Sequence, residues 1–134
     1  MTAVAAGVAL LALAFDAAIE PLSEVTGSPP LVLFVAVFAV ETLLLKLLKW
    51  GSWSRSALGS FVMNALSALA GAALDLRMPD ALVYGFFLSV PLEALVLLLL
   101  DRRRKLRALV SSLGANVGSY VLLIAVYVFG RSFF

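Results

Sequence analysis

Residues 41–67 read ETLLLKLLKWGSWSRSALGSFVMNALS, and residues 93–119 read EALVLLLLDRRRKLRALVSSLGANVGS. The two stretches align without a gap at an offset of 93 − 41 = 52 residues. In that register Glu41 matches Glu93, Arg55 matches Arg107, Ser60 matches Ser112, Asn64 matches Asn116 and Ser67 matches Ser119, with Phe34 over Phe86 upstream. Leucine matches carry little information in so apolar a chain. Matches of Glu, Arg, Asn and Ser in one register carry more, because polar residues are scarce here. The pattern is that of a duplicated unit. Each copy is an apolar run, a short basic turn and a second apolar run, which is the pattern of a helical hairpin.

The setting of these repeats follows from composition. The chain has 134 residues, 63% hydrophobic and only 13% charged, with mean hydropathy +1.10. Soluble domains carry about 45–50% apolar and about 25% charged residues. A chain this short has too little interior to hide the excess apolar surface, so lipid is the expected solvent. Five apolar runs are long enough to cross a hydrocarbon core, which takes roughly 20 helical residues. They cover about residues 2–19, 30–49, 56–76, 81–100 and 106–129. Continuous runs of that length favour helices over barrel strands of about 10 residues. Pro21, Gly27, Pro29 and Pro30 break the chain between the first two runs. The first run lacks the basic leader of a signal peptide and reads as a membrane helix.

The expected architecture is therefore an all-α, polytopic membrane protein of five transmembrane helices in a single domain over residues 1–134. A first helix with its outer loop spans residues 1–29. Two copies of a hairpin follow, over residues 30–77 and 78–134. Each copy crosses twice, so both have the same orientation and the repeat is parallel.

Charge sets the orientation. Lys46, Lys49, Arg55, Arg102, Arg103, Arg104, Lys105 and Arg107 flank the two hairpin turns, whereas the remaining loops hold Asp16, Glu20, Glu24, Asp75 and Asp80 with Arg77. The positive-inside bias then predicts a multi-pass cell-membrane protein with a cytoplasmic N-terminus and an external C-terminus. The same topology explains the pI of about 9.3, so the basic residues do not point to nucleic acid.

The chain has no cysteine and no histidine. That argues against thiol chemistry, imidazole acid–base work and the usual ligands of haem or transition metals. No catalytic residues, cofactor or metal are expected, and the chain reads as a non-enzyme.

Glu41 and Glu93 then need a reason to be there. In an antiparallel hairpin, residues equidistant from the turn lie at equal depth. Glu41 pairs in depth with Asn64, and Glu93 with Asn116, each roughly 10–15 Å in from the turn at about 1.5 Å rise per residue. Ser60 and Ser67 share the face of Asn64, and Ser112 and Ser119 share that of Asn116. A charge in mid-membrane costs about 2.5–3.5 kcal/mol on insertion scales, and an interhelical hydrogen bond returns only about 0.6–2 kcal/mol. Neutral glutamine would serve as glue equally well. Two uses stay open, interhelical glue and an ion or proton site with Glu41 and Glu93 as charged ligands and Asn64, Asn116, Ser67 and Ser119 as neutral ones; the second gives the charge a purpose. Pro91, two residues before Glu93, predicts a helix kink that frees the Phe87 carbonyl.

Arg55, Arg107, Arg102, Arg103 and Arg104 form a candidate cytoplasmic contact for phosphate or anionic lipid, against the simpler reading of snorkelling charges. Trp50, Trp53 and Tyr84 read as interfacial anchors. Gly114 and Gly118 form a small-xxx-small face for close helix packing. Beyond the lipid bilayer itself, a homo-oligomer or larger membrane complex is expected, because a pair of hairpins encloses little. The function these features favour is a small channel or carrier for a cation or protons. The alternative is a non-catalytic accessory subunit of a larger membrane assembly.

Overall fold

A computed structural model describes residues 29–74 and 80–130. Within them the chain forms four helices, α1 (Pro30–Leu47), α2 (Trp53–Leu74), α3 (Asp80–Leu100) and α4 (Lys105–Gly130). They coincide with the last four apolar runs to within a few residues. The first run, with Asp16, Glu20 and Glu24, lies outside the described residues, as do Asp75 and Arg77. Two of the four helices hold spans long and apolar enough to cross a membrane, Val83–Leu100 in α3 and Lys105–Phe129 in α4.

Local chemistry explains the boundaries. Pro29 and Pro30 open α1, where a missing N–H is no loss and the fixed φ suits the first turn. At the other end, Lys49 N–H bonds Lys46 O at 3.0 Å and Trp50 N–H bonds Leu45 O at 3.0 Å. Together with φ 57° at Lys49, this is a Schellman turn with lysine in the left-handed position that glycine normally takes. Ser52 caps α2, its hydroxyl accepting from Arg55 N–H at 3.4 Å. In the second turn Asp101 accepts from Arg103 N–H at 3.2 Å and sits in loose ion pairs with Arg55 and Arg104.

Each helix packs on its two neighbours in a ring, α1 on α2, α2 on α3, α3 on α4 and α4 on α1. The backbones of the diagonal pairs stay apart. This is a square, up–down bundle with both hairpin turns at one basic end. The Asn64–Glu41 hydrogen bond of the first hairpin has its counterpart, 52 residues on, in the Asn116–Glu93 bond of the second. The α1–α4 contact is close because Gly114 and Gly118 leave room for Leu48 and Leu44. A Cβ at either glycine would strike a leucine methyl group, which bears out the small-residue face expected of this helix.

The basic half of the core holds Leu45, Trp50, Met63, Val96, Leu97, Ala108 and Ala115. Trp50 corrects the sequence reading. It is 2% exposed, where an interfacial anchor was expected. The Schellman turn places it to fold back on Leu45, and Gly59 gives its ring room against α2. Trp53 and Tyr84 are exposed as expected, with the Lys46 ammonium over the Trp53 ring.

Burial runs opposite to the pattern of a water-soluble bundle. Glu41, Glu93, Asn64, Asn116 and six serines are buried, while Leu31, Phe87, Leu106, Val121 and Phe129 are each more than 60% exposed.

Candidate ion or proton site

All six residues expected to form the site meet in one layer of the bundle. Glu41 projects from α1 and is 2% exposed. Asn64 Nδ2 of α2 donates to its Oε2, and Ser60 Oγ lies 3.2 Å from the same oxygen. Ser60 is also 3.3 Å from the Phe38 carbonyl. The second copy repeats this arrangement. Asn116 Nδ2 of α4 donates to Glu93 Oε2 at 2.5 Å, and Ser112 Oγ donates to the Val90 carbonyl at 2.9 Å. Both asparagines also bond back to the carbonyl one turn earlier, Asn64 to Ser60 O at 2.9 Å and Asn116 to Ser112 O at 3.0 Å. That second bond holds each amide with its N–H aimed at the carboxylate.

The hairpins also reach into each other. Ser67 Oγ of the first donates to Glu93 Oε1 of the second at 3.1 Å. Its counterpart Ser119 lies beside Glu41, with its own hydrogen bond going to Asn116 O at 3.1 Å. Each carboxylate thus has the asparagine of its own hairpin and a serine of the other. The two are close enough for their charges to interact. They come from diagonal helices, so they face one another across the bundle axis. The two half-sites read from the sequence form one composite site within a single chain, which needs no second copy to enclose it.

Among the described residues, no base lies against either carboxylate. Among the described residues, the ion pairs at the basic end involve Asp101 and leave both glutamates out. No cluster of three or more acidic, histidine or cysteine ligands occurs among the described residues. The donor set is two carboxylates with neutral amide and hydroxyl partners, oxygen chemistry that suits a proton or a hard cation rather than a soft transition metal.

The remaining candidates fall elsewhere. Pro91 lies in mid-α3 with its ring exposed, on a helix that continues through it. The carbonyl it frees is that of Phe87, itself on the outward face, away from Glu93. Arg55 and Arg107 are tied to main chain across the repeat. Arg55 Nη2 donates to Leu100 O at 3.2 Å and Arg107 Nη1 to Lys49 O at 3.3 Å. Each arginine, itself exposed, holds a carbonyl near the end of the other hairpin's first helix. Arg102, Arg103 and Arg104 are exposed, and Arg103, Arg104 and Lys105 line a shallow open depression with Leu106 and Arg107.

Sequence reasoning missed Ser89 and Tyr120. Ser89 Oγ lies 2.6 Å from Asn116 Oδ1, and the Tyr120 phenol faces Ser89 while filling the space beside Gly85. Ser89 precedes Glu93 by four residues, so helical spacing places it on the carboxylate's face. It breaks the repeat, because its counterpart is Val37, and that of Tyr120 is Ala68. No family model, curated protein or solved structure matches this chain.

Proposed function

We propose that the chain is a small integral membrane carrier or channel for protons or a monovalent cation, with Glu41 and Glu93 as its charge-bearing groups. The observation that carries this reading is the pair of buried carboxylates facing each other across one axis with only neutral partners. In a low-dielectric layer two uncompensated like charges are strongly unfavourable. The layer is completed by a mobile positive charge. Asn64, Asn116, Ser60 and Ser67 hold the carboxylate oxygens in place and supply no charge themselves. A purely structural polar layer gains nothing from that arrangement over a neutral one. The membrane setting is supported by the apolar exterior around a polar core and by the two spanning-length helices.

The test is flux in reconstituted vesicles. Under an imposed gradient the native protein should conduct protons or a monovalent cation, and Glu41→Gln with Glu93→Gln should abolish the flux while leaving the fold intact. Absence of flux from the native protein for protons, Na⁺ and K⁺ would leave the accessory-subunit reading in its place. Unchanged flux in the double variant would make the carboxylates structural.

A further inference from the structure

Four buried polar atoms have no protein partner among the described residues: Thr42 Oγ1, Trp50 Nε1, Ser56 Oγ and Ser111 Oγ. Ser56 and Ser111 are fully buried and Trp50 nearly so. Native interiors rarely leave such atoms unmatched, and water is their usual partner when protein groups are not.

Their positions are one-sided. Trp50 lies in the first basic turn, and Ser56 in the first helical turn of α2. Ser111 is two turns into α4, and Thr42 is one residue from Glu41 towards the turn. All four fall between the basic end and the carboxylate layer. Ser56 also precedes Ser60 by four residues, on the same helix face, and Ser60 touches Glu41.

The opposite half is built differently. Among its described residues the buried positions are apolar, at Leu33, Val37 and Ala68, or paired, at Ser89, whereas the basic half sets the unmatched Trp50, Ser56 and Ser111 among the apolar Leu45, Met63, Leu97 and Ala108. The Ser89 hydroxyl lies between Asn116 Oδ1 at 2.6 Å and Phe86 O at 3.2 Å, with Tyr120 packed over it and stacked edge-on against Phe86. The repeat is broken on both sides. Ser56 and Ser111 have Ala108 and Gly59 as counterparts, and Ser89 and Tyr120 have Val37 and Ala68.

We infer that water enters this bundle from the basic end along Trp50, Ser56 and Ser111 and carries protons to the Glu41–Glu93 layer, while Ser89 and Tyr120 seal the other side. This rests on the transport reading for its direction and deepens it by naming the proton as the species and water as its path. Hydroxyls and an indole N–H bind water and provide no charge to hold a metal ion. The asparagine–carboxylate contacts then form the boundary between the half in which unmatched polar atoms thread the apolar core and the half in which the described buried polar groups are paired.

The chain lacks cysteine, so single cysteines report access directly. Ser56→Cys, Ser111→Cys and Val37→Cys would each be treated, in the full chain in vesicles, with a small cationic methanethiosulfonate. Ser56→Cys and Ser111→Cys should react at least about tenfold faster than Val37→Cys, because a dry thiol reacts only through local opening of the bundle. Equal rates overturn the route. A second measurement covers any perturbation by the thiol. Removing a dry, unmatched hydroxyl stabilises a protein, whereas removing a hydrated one does not. A higher Tm in Ser56→Ala with Ser111→Ala would therefore also overturn it, and a lower proton flux with unchanged Tm supports it. The transport reading fails separately. Fast labelling without any proton flux keeps the water route and removes the carrier, and flux without labelling does the reverse.

Discussion

Replacing Glu93 by glutamine should make this protein more stable, and the size of the gain separates a working carboxylate from a structural one. Glu93 accepts from Asn116 Nδ2 at 2.5 Å and from Ser67 Oγ at 3.1 Å. Hydrogen bonds to a charged group contribute about 1.5–3 kcal/mol, and neutral ones about 0.5–1.5 kcal/mol. Glutamine keeps its single acceptor oxygen on Asn116 Nδ2 and turns its amide N–H to Ser67 Oγ, which then accepts, so both contacts persist at neutral strength and together lose about 2 kcal/mol. Against that, at an alkaline pH where Glu93 is ionised, the variant no longer holds a charge in the apolar layer, worth about 2.5–3.5 kcal/mol on insertion scales. It also removes the repulsion from Glu41. The balance favours Glu93→Gln by about 1 kcal/mol, which for a domain of this size raises Tm by about 3–5 °C. Thermal unfolding in mild detergent, followed by tryptophan emission, reads this directly, because Trp50 is buried in the bundle. A fall in stability of about 2 kcal/mol would mean that the charged hydrogen bonds outweigh the burial of the charge. The carboxylate would then be an element of packing, and the argument from an uncompensated pair would fail.

The same assay orders three further changes. Asn116→Ala should cost about 2–3 kcal/mol and exceed Asn64→Ala, since it leaves Glu93 without its amide donor and Ser89 with only the more distant Phe86 carbonyl as acceptor. Equal losses would show that the Ser89 contact contributes nothing. Lys49→Gly should stabilise by about 1 kcal/mol by relieving a left-handed lysine at φ 57°; no gain would mean that the Schellman turn carries no strain. Gly118→Val should cost about 1–3 kcal/mol by forcing Leu44 of α1 away from α4, and a neutral result would refute close packing of those helices.

The hairpins and their polar pairs were legible because polar residues are rare in the chain. A 52-residue register carrying Glu, Arg, Asn and Ser together is hard to produce otherwise. Equal depth of Glu41 and Asn64 followed from counting to the turn, and the structure joins them by a hydrogen bond. Which faces of the two hairpins meet did not follow. Periodicity within one helix does not say what lies opposite, so the crossing contact from Ser67 to Glu93 was invisible. The enclosure of the site by a single chain was hidden for the same reason. Trp50 was misread because its burial depends on the left-handed backbone at Lys49, and lysine gives no local signal for that conformation. Arg55 and Arg107 read as surface cations and are exposed, but their bonds to carbonyls of the other hairpin were not legible, because main-chain acceptors leave no trace in sequence. Ser89 did have a signal, its spacing from Glu93, but without a counterpart at Val37 it fell outside the repeat.

What a duplicated hairpin makes possible follows from where the axis runs. A homodimer of one hairpin would place two glutamates on its two-fold axis, with identical approaches from both copies. Any residue that opened or closed one approach would alter the other equally. Once both hairpins belong to one chain, each approach varies alone. This chain uses that freedom away from the carboxylate layer and not within it. Glu, Asn and the flanking serines are the same in both copies, whereas positions 56 and 108, 37 and 89, and 68 and 120 differ. Of those, Ser56 adds an unmatched hydroxyl towards the basic end. Ser89 adds a polar group towards the far end, already paired, with the Tyr120 phenol beside it. A bundle held by its polar layer for stability alone has no use for that difference between its ends. A site that must be reached from one side and kept from the other does, because two equal charges on an axis are distinguished only by what leads to them.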